Sequence, residues 1–291
     1  EIPFVADGPM MGVYDIDDNA GAYDSPPVAG NGVADYASIS DAVTDLKREG
    51  MAGAVTFSVW SGTYTGQVVV AGIATTATDT LTIEEKSGQT ATVNPGSYET
   101  RSFDVRVGYV TIKDLTIGIP TTVWGYAVLC RNASGNFTIT GNTLSGTYRG
   151  IDVNGPSDLI SQNTITSTAD WAVYTIGTSG QVERNIIVAS SGIYSNGSGN
   201  QVYRNKVQVT GTYGVYLETS GSGNKVSNNM IYHTGADTTS VQGIRINSGG
   251  GNEVYYNSIY MQCTDTSSNN DGDGANYAIY FNNATGLTTI K

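Results

Sequence analysis

The sequence predicts an all-β chain wound as a solenoid, and three observations predict it. A short pattern, asparagine with an aliphatic residue two positions later, occurs six times: Asn142-Thr-Leu144, Asn163-Thr-Ile165, Asn185-Ile-Ile187, Asn205-Lys-Val207, Asn229-Met-Ile231 and Asn257-Ser-Ile259. Successive asparagines stand 21, 22, 20, 24 and 28 residues apart, a period that marks coils packing on their neighbours. Two more columns keep the same beat. Ile139, Ile160, Val182, Val202, Val226 and Val254 each precede an asparagine by three residues. Small–aliphatic pairs recur at Ala127-Val128, Gly150-Ile151, Ala172-Val173, Gly192-Ile193, Gly214-Val215, Gly243-Ile244 and Ala278-Ile279. Within each segment apolar and polar residues alternate with period two, which sends the apolar set to one face of a strand.

Three short strands per coil, stacked about 4.8 Å apart, describe a parallel β-helix. Stacked coils bring the six asparagines over one another, so their amides form a hydrogen-bonded structural ladder. Corner glycines and asparagines fit tight bends that need positive φ. Before the coils, residues 1–34 hold a strand over 12–17 and a Gly/Pro-rich stretch. Ser38 and Asp41 then resemble a capping box, and Ile39, Ala42, Val43 and Leu46 make a helical stripe that Gly50 stops. This helix, about 38–49, is expected to cap the open apolar end of the solenoid over 35–291. Irregular early coils follow over 54–101 and regular ones over 102–291.

The formal charge is −12, from 14 Lys+Arg against 26 Asp+Glu, which disfavours a nucleic-acid partner because that affinity needs clustered Lys and Arg. No run of about 18 apolar residues offers a membrane span. The abundance of Gly (37) and Tyr (19) with only 14% charged residues suits an extracellular β protein read here in processed form. Cys130 and Cys263 fall five coils apart, roughly 24 Å, beyond the reach of a disulfide, so both are expected as free thiols with Cys130 buried.

The run Asp35 to Val43, Gly53 to Phe57 and Ser61 to Thr65, followed by asparagine-centred coils, resembles the opening of secreted right-handed parallel β-helix proteins of the pectate-lyase-like superfold. The nearest likeness is to large cell-surface β-helix proteins of the Bacteroidetes type. The resemblance implies a right-handed winding and an extracellular or cell-surface location. The chain departs from the enzymes of that superfold: it lacks the carboxylate strand of pectin methylesterases, the paired aspartates and Gly-His-Gly of polygalacturonases, and the Asp-Pro-His-Asp of alginate epimerases. Its one histidine, His233, reads as an exposed loop residue.

Function candidates lie on the outward column beside the first strand: Leu129, Asp152, Tyr174, Tyr194, Tyr216, Arg245 and Tyr280, with Glu218 in the next outward column. Asp152, Tyr174, Tyr194, Tyr216, Glu218 and Arg245 form a candidate ligand or partner surface. Three stacked tyrosines would make a flat strip able to meet a sugar face or a protein. They would equally serve as a ladder that stabilises the sheet. Asp152 and Arg245 stand four coils apart, near 19 Å, too far for one catalytic centre. Asp15, Asp17, Asp271 and Asp273 are candidate Ca²⁺ ligands, since carboxylates in loops suit a hard cation. The reading is a non-catalytic structural or adhesive extracellular protein that assembles head to tail into filaments or a surface layer, with residues 1–17 able to supply a complementing strand. The alternative is a calcium-dependent polysaccharide lyase or a carbohydrate-binding β-helix protein.

Overall fold

In a computed structural model the chain is a parallel β-helix. The structure describes residues 8–19, 23–24, 27–96, 100–118, 125–146, 148–218, 221–235, 241–247, 249–263, 276–282 and 289–290. Every strand pairing among them is parallel across the regular coils, and the three columns of the sequence align residue for residue. The first face runs Val128, Ile151, Val173, Ile193, Val215, Ile244 and Ile279. The second runs Ile139, Ile160, Val182, Val202, Val226 and Val254. The third runs Leu144, Ile165, Ile187, Val207, Ile231 and Ile259. Nearly all are fully buried and line one continuous core. In two coils the third and first faces share one strand, Thr164–Ile176 and Ile186–Asn196, which turns the corner without a break apart from a bulge between Ser167 and Trp171.

The helix spans Ile39–Glu49. The Ser38 hydroxyl accepts from the Asp41 amide at 3.1 Å, and the Gly50 N–H closes on Leu46 O at 2.9 Å. Ile39, Ala42, Val43 and Leu46 are buried, packed on strands Met10–Ile16, Met51–Val59 and Val68–Val70. The strand Met10–Ile16 is the edge of its sheet and pairs with Met51–Val59, Tyr14 beside Phe57.

The six asparagines form a ladder inside one corner. Asn142 Nδ2 donates to Asn163 Oδ1 at 3.1 Å, and the same step repeats at 3.0, 3.0, 3.0 and 2.9 Å down to Asn257. Each receiving Oδ1 also takes the backbone amide of the preceding asparagine at 3.0 Å. The bend itself falls one residue earlier than the sequence suggests. Positive φ belongs to Gly141, Gln162, Arg184, Arg204, Asn228 and Tyr256, so the asparagine pins a turn that its neighbour makes.

A second ladder, which the sequence reading does not anticipate, lies five residues ahead of the first. Asn200 N, Asn224 N and Gly180 N donate to Asn224 Oδ1, Asn252 Oδ1 and Asn200 Oδ1 at 2.8, 3.1 and 2.8 Å, and Phe137 N donates to Asp158 Oδ1 at 3.1 Å. Cys130 is a buried free cysteine; the side chain of Cys263 lies outside the described residues. His233 corrects the sequence reading. It sits in strand Met230–Gly235 opposite Val209 and is fully buried, its Nδ1 3.2 Å from Gln262 O. Period two puts it inward two places after Ile231, because the strand runs further than its polar composition implied.

Candidate functional site

The outward column of the first face is continuous in register: Asp104, Leu129, Asp152, Tyr174, Tyr194, Tyr216, Arg245 and Tyr280. It divides into a buried acidic end and a half-exposed aromatic end. Asp104, Leu129 and Asp152 are 2%, 0% and 4% exposed, so the sequence expectation that Asp152 flanks an open surface is wrong. Arginines and tyrosines cover that end. Arg101 and Arg106 each reach Asp104 at 2.6 Å, and Arg149 joins Asp152 at 2.8 Å to Asp170 at 2.6 Å. Tyr126 and Tyr148 lie 5.9 and 5.6 Å from the Arg149 guanidinium.

The electrostatics follow burial and pairing. Burial pushes the Asp152 carboxyl above its ordinary range despite the pull of Arg149. Burial would raise Asp104 too, but hydrogen bonds from Arg106 and Arg101 hold it below. Burial would lower Arg149, yet Asp170 and Asp152 push it up. Both acids are thus buried in pairs with arginine.

The aromatic end is packed on itself and is not flat. Tyr174 and Tyr194 stack face to face at 4.3 Å and 4°, whereas Tyr194 and Tyr216 meet edge to face at 5.4 Å and 89°. Arg149 lies 3.9 Å over Tyr174, so both faces of that ring are taken. Arg245 lies 4.9 Å over Tyr216, and its Nη1 donates to the Tyr213 hydroxyl at 3.0 Å. Burial, followed by charge from neighbouring phenols and Glu218, raises Tyr194. Burial and a hydrogen bond to Glu218 raise Tyr216. Asn247 Nδ2 donates to Glu218 Oε1 at 2.7 Å.

Sequence reasoning missed Trp171 and Tyr213, which stack on each other at 5.6 Å and 9° and complete the cluster over Tyr194 and Tyr216. It also missed Asp104, Arg149 and Asp170. A surface groove of about 490 Å³ adjoins the strip, lined by Arg131, Asn132, Asn154, Pro156, Ile176 and Thr178 among others.

Of the candidate calcium ligands, the structure describes Asp15 and Asp17. Asp15 is buried and holds Lys86 Nζ at 3.0 and 2.9 Å, while the Asp17 carboxylate accepts from the Asn19 amide at 2.9 Å. Asp271 and Asp273 lie outside the described residues. Among those residues no group of three or more His, Cys, Asp or Glu is placed to hold a metal, and no helix is long and apolar enough to cross a membrane.

Residues 126–289 match the family described as the right handed beta helix region. That is more than half of the chain, and the protein belongs to this family. Among solved structures, pectate lyase Pel9A is similar with a TM-score of 0.55 at 10% identity, over 90% of this chain and 79% of that one. The complex of XylC with xylose is similar with a TM-score of 0.52 at 10% identity, over 86% and 70%. A mutant of the periplasmic alginate epimerase AlgG gives 0.40 at 16%, over 82% of this chain and 66% of its own, so the chain spans just under two thirds of its length. These identities make the likeness one of fold. No curated protein matches.

Proposed function

We propose that the chain is a non-catalytic extracellular β-helix protein, a rigid structural or adhesive element whose first face is its contact surface. The observation that carries this reading is the occupancy of the face's own charges. Asp104 and Asp152 are each gripped by arginine, Glu218 by Asn247, and Arg245 by Tyr213 and Tyr216. Acid–base chemistry needs groups within hydrogen-bond reach of a substrate and ready to exchange a proton; these serve one another instead. A stiff ledge of half-exposed aromatic rings suits contact with a glycan or protein at little entropy cost. Self-association end to end belongs to the same reading, and negative-stain images would show it as rods longer than one molecule.

The second reading is polysaccharide binding with or without lyase chemistry, favoured by Trp171 and Tyr213 presenting parallel rings beside Arg245. The test takes a panel of neutral and acidic polysaccharides. Binding is followed by calorimetry, and unsaturated uronate release by absorbance, with and without Ca²⁺. We expect no turnover, and binding that Trp171→Ala weakens at least tenfold. Uronate release abolished by Arg245→Ala would overturn the non-catalytic reading; binding to no member of the panel would remove glycan adhesion.

A further inference from the structure

The second ladder contains one member of the wrong chemistry. Its column runs Phe137, Asp158, Gly180, Asn200, Asn224 and Asn252, each five residues before the first ladder's position. In this column an asparagine offers Oδ1 to the preceding coil and donates with Nδ2. Asn200 Nδ2 donates to Gly177 O and Ser195 Oγ at 3.0 Å, Asn224 Nδ2 to Asn252 Oδ1 at 3.2 Å, and Asn252 Nδ2 to Gly249 O at 3.3 Å. Asp158 fills the acceptor role, taking Phe137 N on Oδ1. Its Oδ2 stands where the others have a donor. That oxygen is buried without a hydrogen-bond partner among the described residues, and Asp158 as a whole is 2% exposed.

The next coil brings Gly180 to this column and so supplies no side chain. A Cβ built there meets Asn200 Oδ1 at 3.3 Å, Asp158 O at 3.6 Å and Thr175 Oγ1 at 3.9 Å, so this position brings neither a cation nor a side-chain donor to the carboxyl. An ionised carboxylate with one oxygen buried and unpartnered is costly; the neutral acid is less so.

We propose that Asp158 is an interior proton-binding site: protonated on Oδ2, it sheds a buried charge that the neutral amides of Asn200, Asn224 and Asn252 never carry, and the coils around it hold more tightly in acid than above neutrality. Its surroundings agree. Burial moves this carboxyl up to about 7, against the hydrogen bonds of the Phe137 and Asn136 amides. The titratable group facing it from strand Tyr126–Arg131 is Cys130, itself pushed up by burial and then by the charge of Asp158. On the outward side of the same sheet lie Asp152 and Asp104, held by Arg149 and by Arg101 with Arg106. The next position of its own column is Gly180, which carries no titratable group.

The sign follows from linkage. A carboxyl whose folded pKa exceeds its unfolded value binds its proton more tightly when folded, so stability rises as pH falls through about 7 toward the ordinary carboxylate range. For this one group the unfolding constant should drop on the order of tenfold to a hundredfold between pH 8 and pH 5.

The experiment compares wild type with Asp158→Asn by denaturant unfolding at both pH values. Asparagine is neutral at every pH. The variant should therefore be more stable than wild type at pH 8, with the gap closing by at least tenfold in unfolding constant at pH 5. Asp35, which burial also raises, to about 6, is common to both proteins and cancels. An equal gap at the two pH values overturns the proposal, as does an Asp158→Asn chain that fails to fold. A carbon-13 titration of the Asp158 carboxyl gives an independent reading: a midpoint near 7 supports the site, and one below about 5 overturns it.

Discussion

The buried corner and the outward column of the first face use the same device, one side chain per coil, yet their rungs differ in kind. In the corner every asparagine meets the same partners at nearly the same distance, 2.9 to 3.1 Å through five steps. On the face, successive rungs meet as a buried ion pair, a cation over a ring, a parallel stack and an edge contact. Where both neighbours are backbone-like and water is excluded, a repeated residue enforces repeated geometry. Where side chains have room to choose partners, a repeated residue fixes only the address.

The sharpest way to break the comparison is at the turn beside the second ladder, where glycines stack directly. A Cβ on Gly197 would overlap Gly177 O outright, at a φ of 141°. Gly197→Ala should cost more than about 4 kcal/mol, enough to prevent folding, as read by the loss of a cooperative thermal transition. Next comes the ladder. Asn185→Ala strands Asn163 N and takes one bond each from Asn163 Nδ2, Ile160 O and Asn205 Oδ1, the first keeping Ile139 O and the last the backbone amide of residue 185; at about 1–3 kcal/mol for the stranded group and about 0.5–1.5 kcal/mol per bond lost, the total should be about 3 kcal/mol by urea unfolding. The face should respond less. Arg149→Ala leaves Asp152 without its partner but opens it to water and leaves room to relax, so we expect about 2 kcal/mol at pH 7, shrinking as acid neutralises Asp152. If Arg149→Ala proves costlier than Asn185→Ala, the face and not the corner organises the fold.

The inward columns are legible in the sequence because each coil must bury its aliphatic residues at the same places, and the first ladder because its asparagine never varies. The second ladder is equally regular at Asn200, Asn224 and Asn252, five residues ahead of Asn205, Asn229 and Asn257. Phe137, Asp158 and Gly180 break the pattern in the earlier coils and hide it. On the outward face the tyrosines can be placed by register. Their ring geometry cannot, because it depends on Trp171, Tyr213 and Arg149, which stand off the column and reach it through long side chains. His233 escapes for a related reason: a polar residue inside a core carries no periodic signal of its own. Asp152 reads as open because nothing in its own strand shows that Arg149 bends back over it.

Among the described residues, two adjacent coils have strands, Thr164–Ile176 and Ile186–Asn196, that pass from the third face to the first, with one bulge between Ser167 and Trp171. A solenoid of separable turns frays from its ends, each turn leaving as its neighbour goes. A continuous ribbon bent round the corner ties two walls of the tube together, so these turns surrender only as a pair. Under tension along the axis, the middle of the cylinder acts as a splice that yields last.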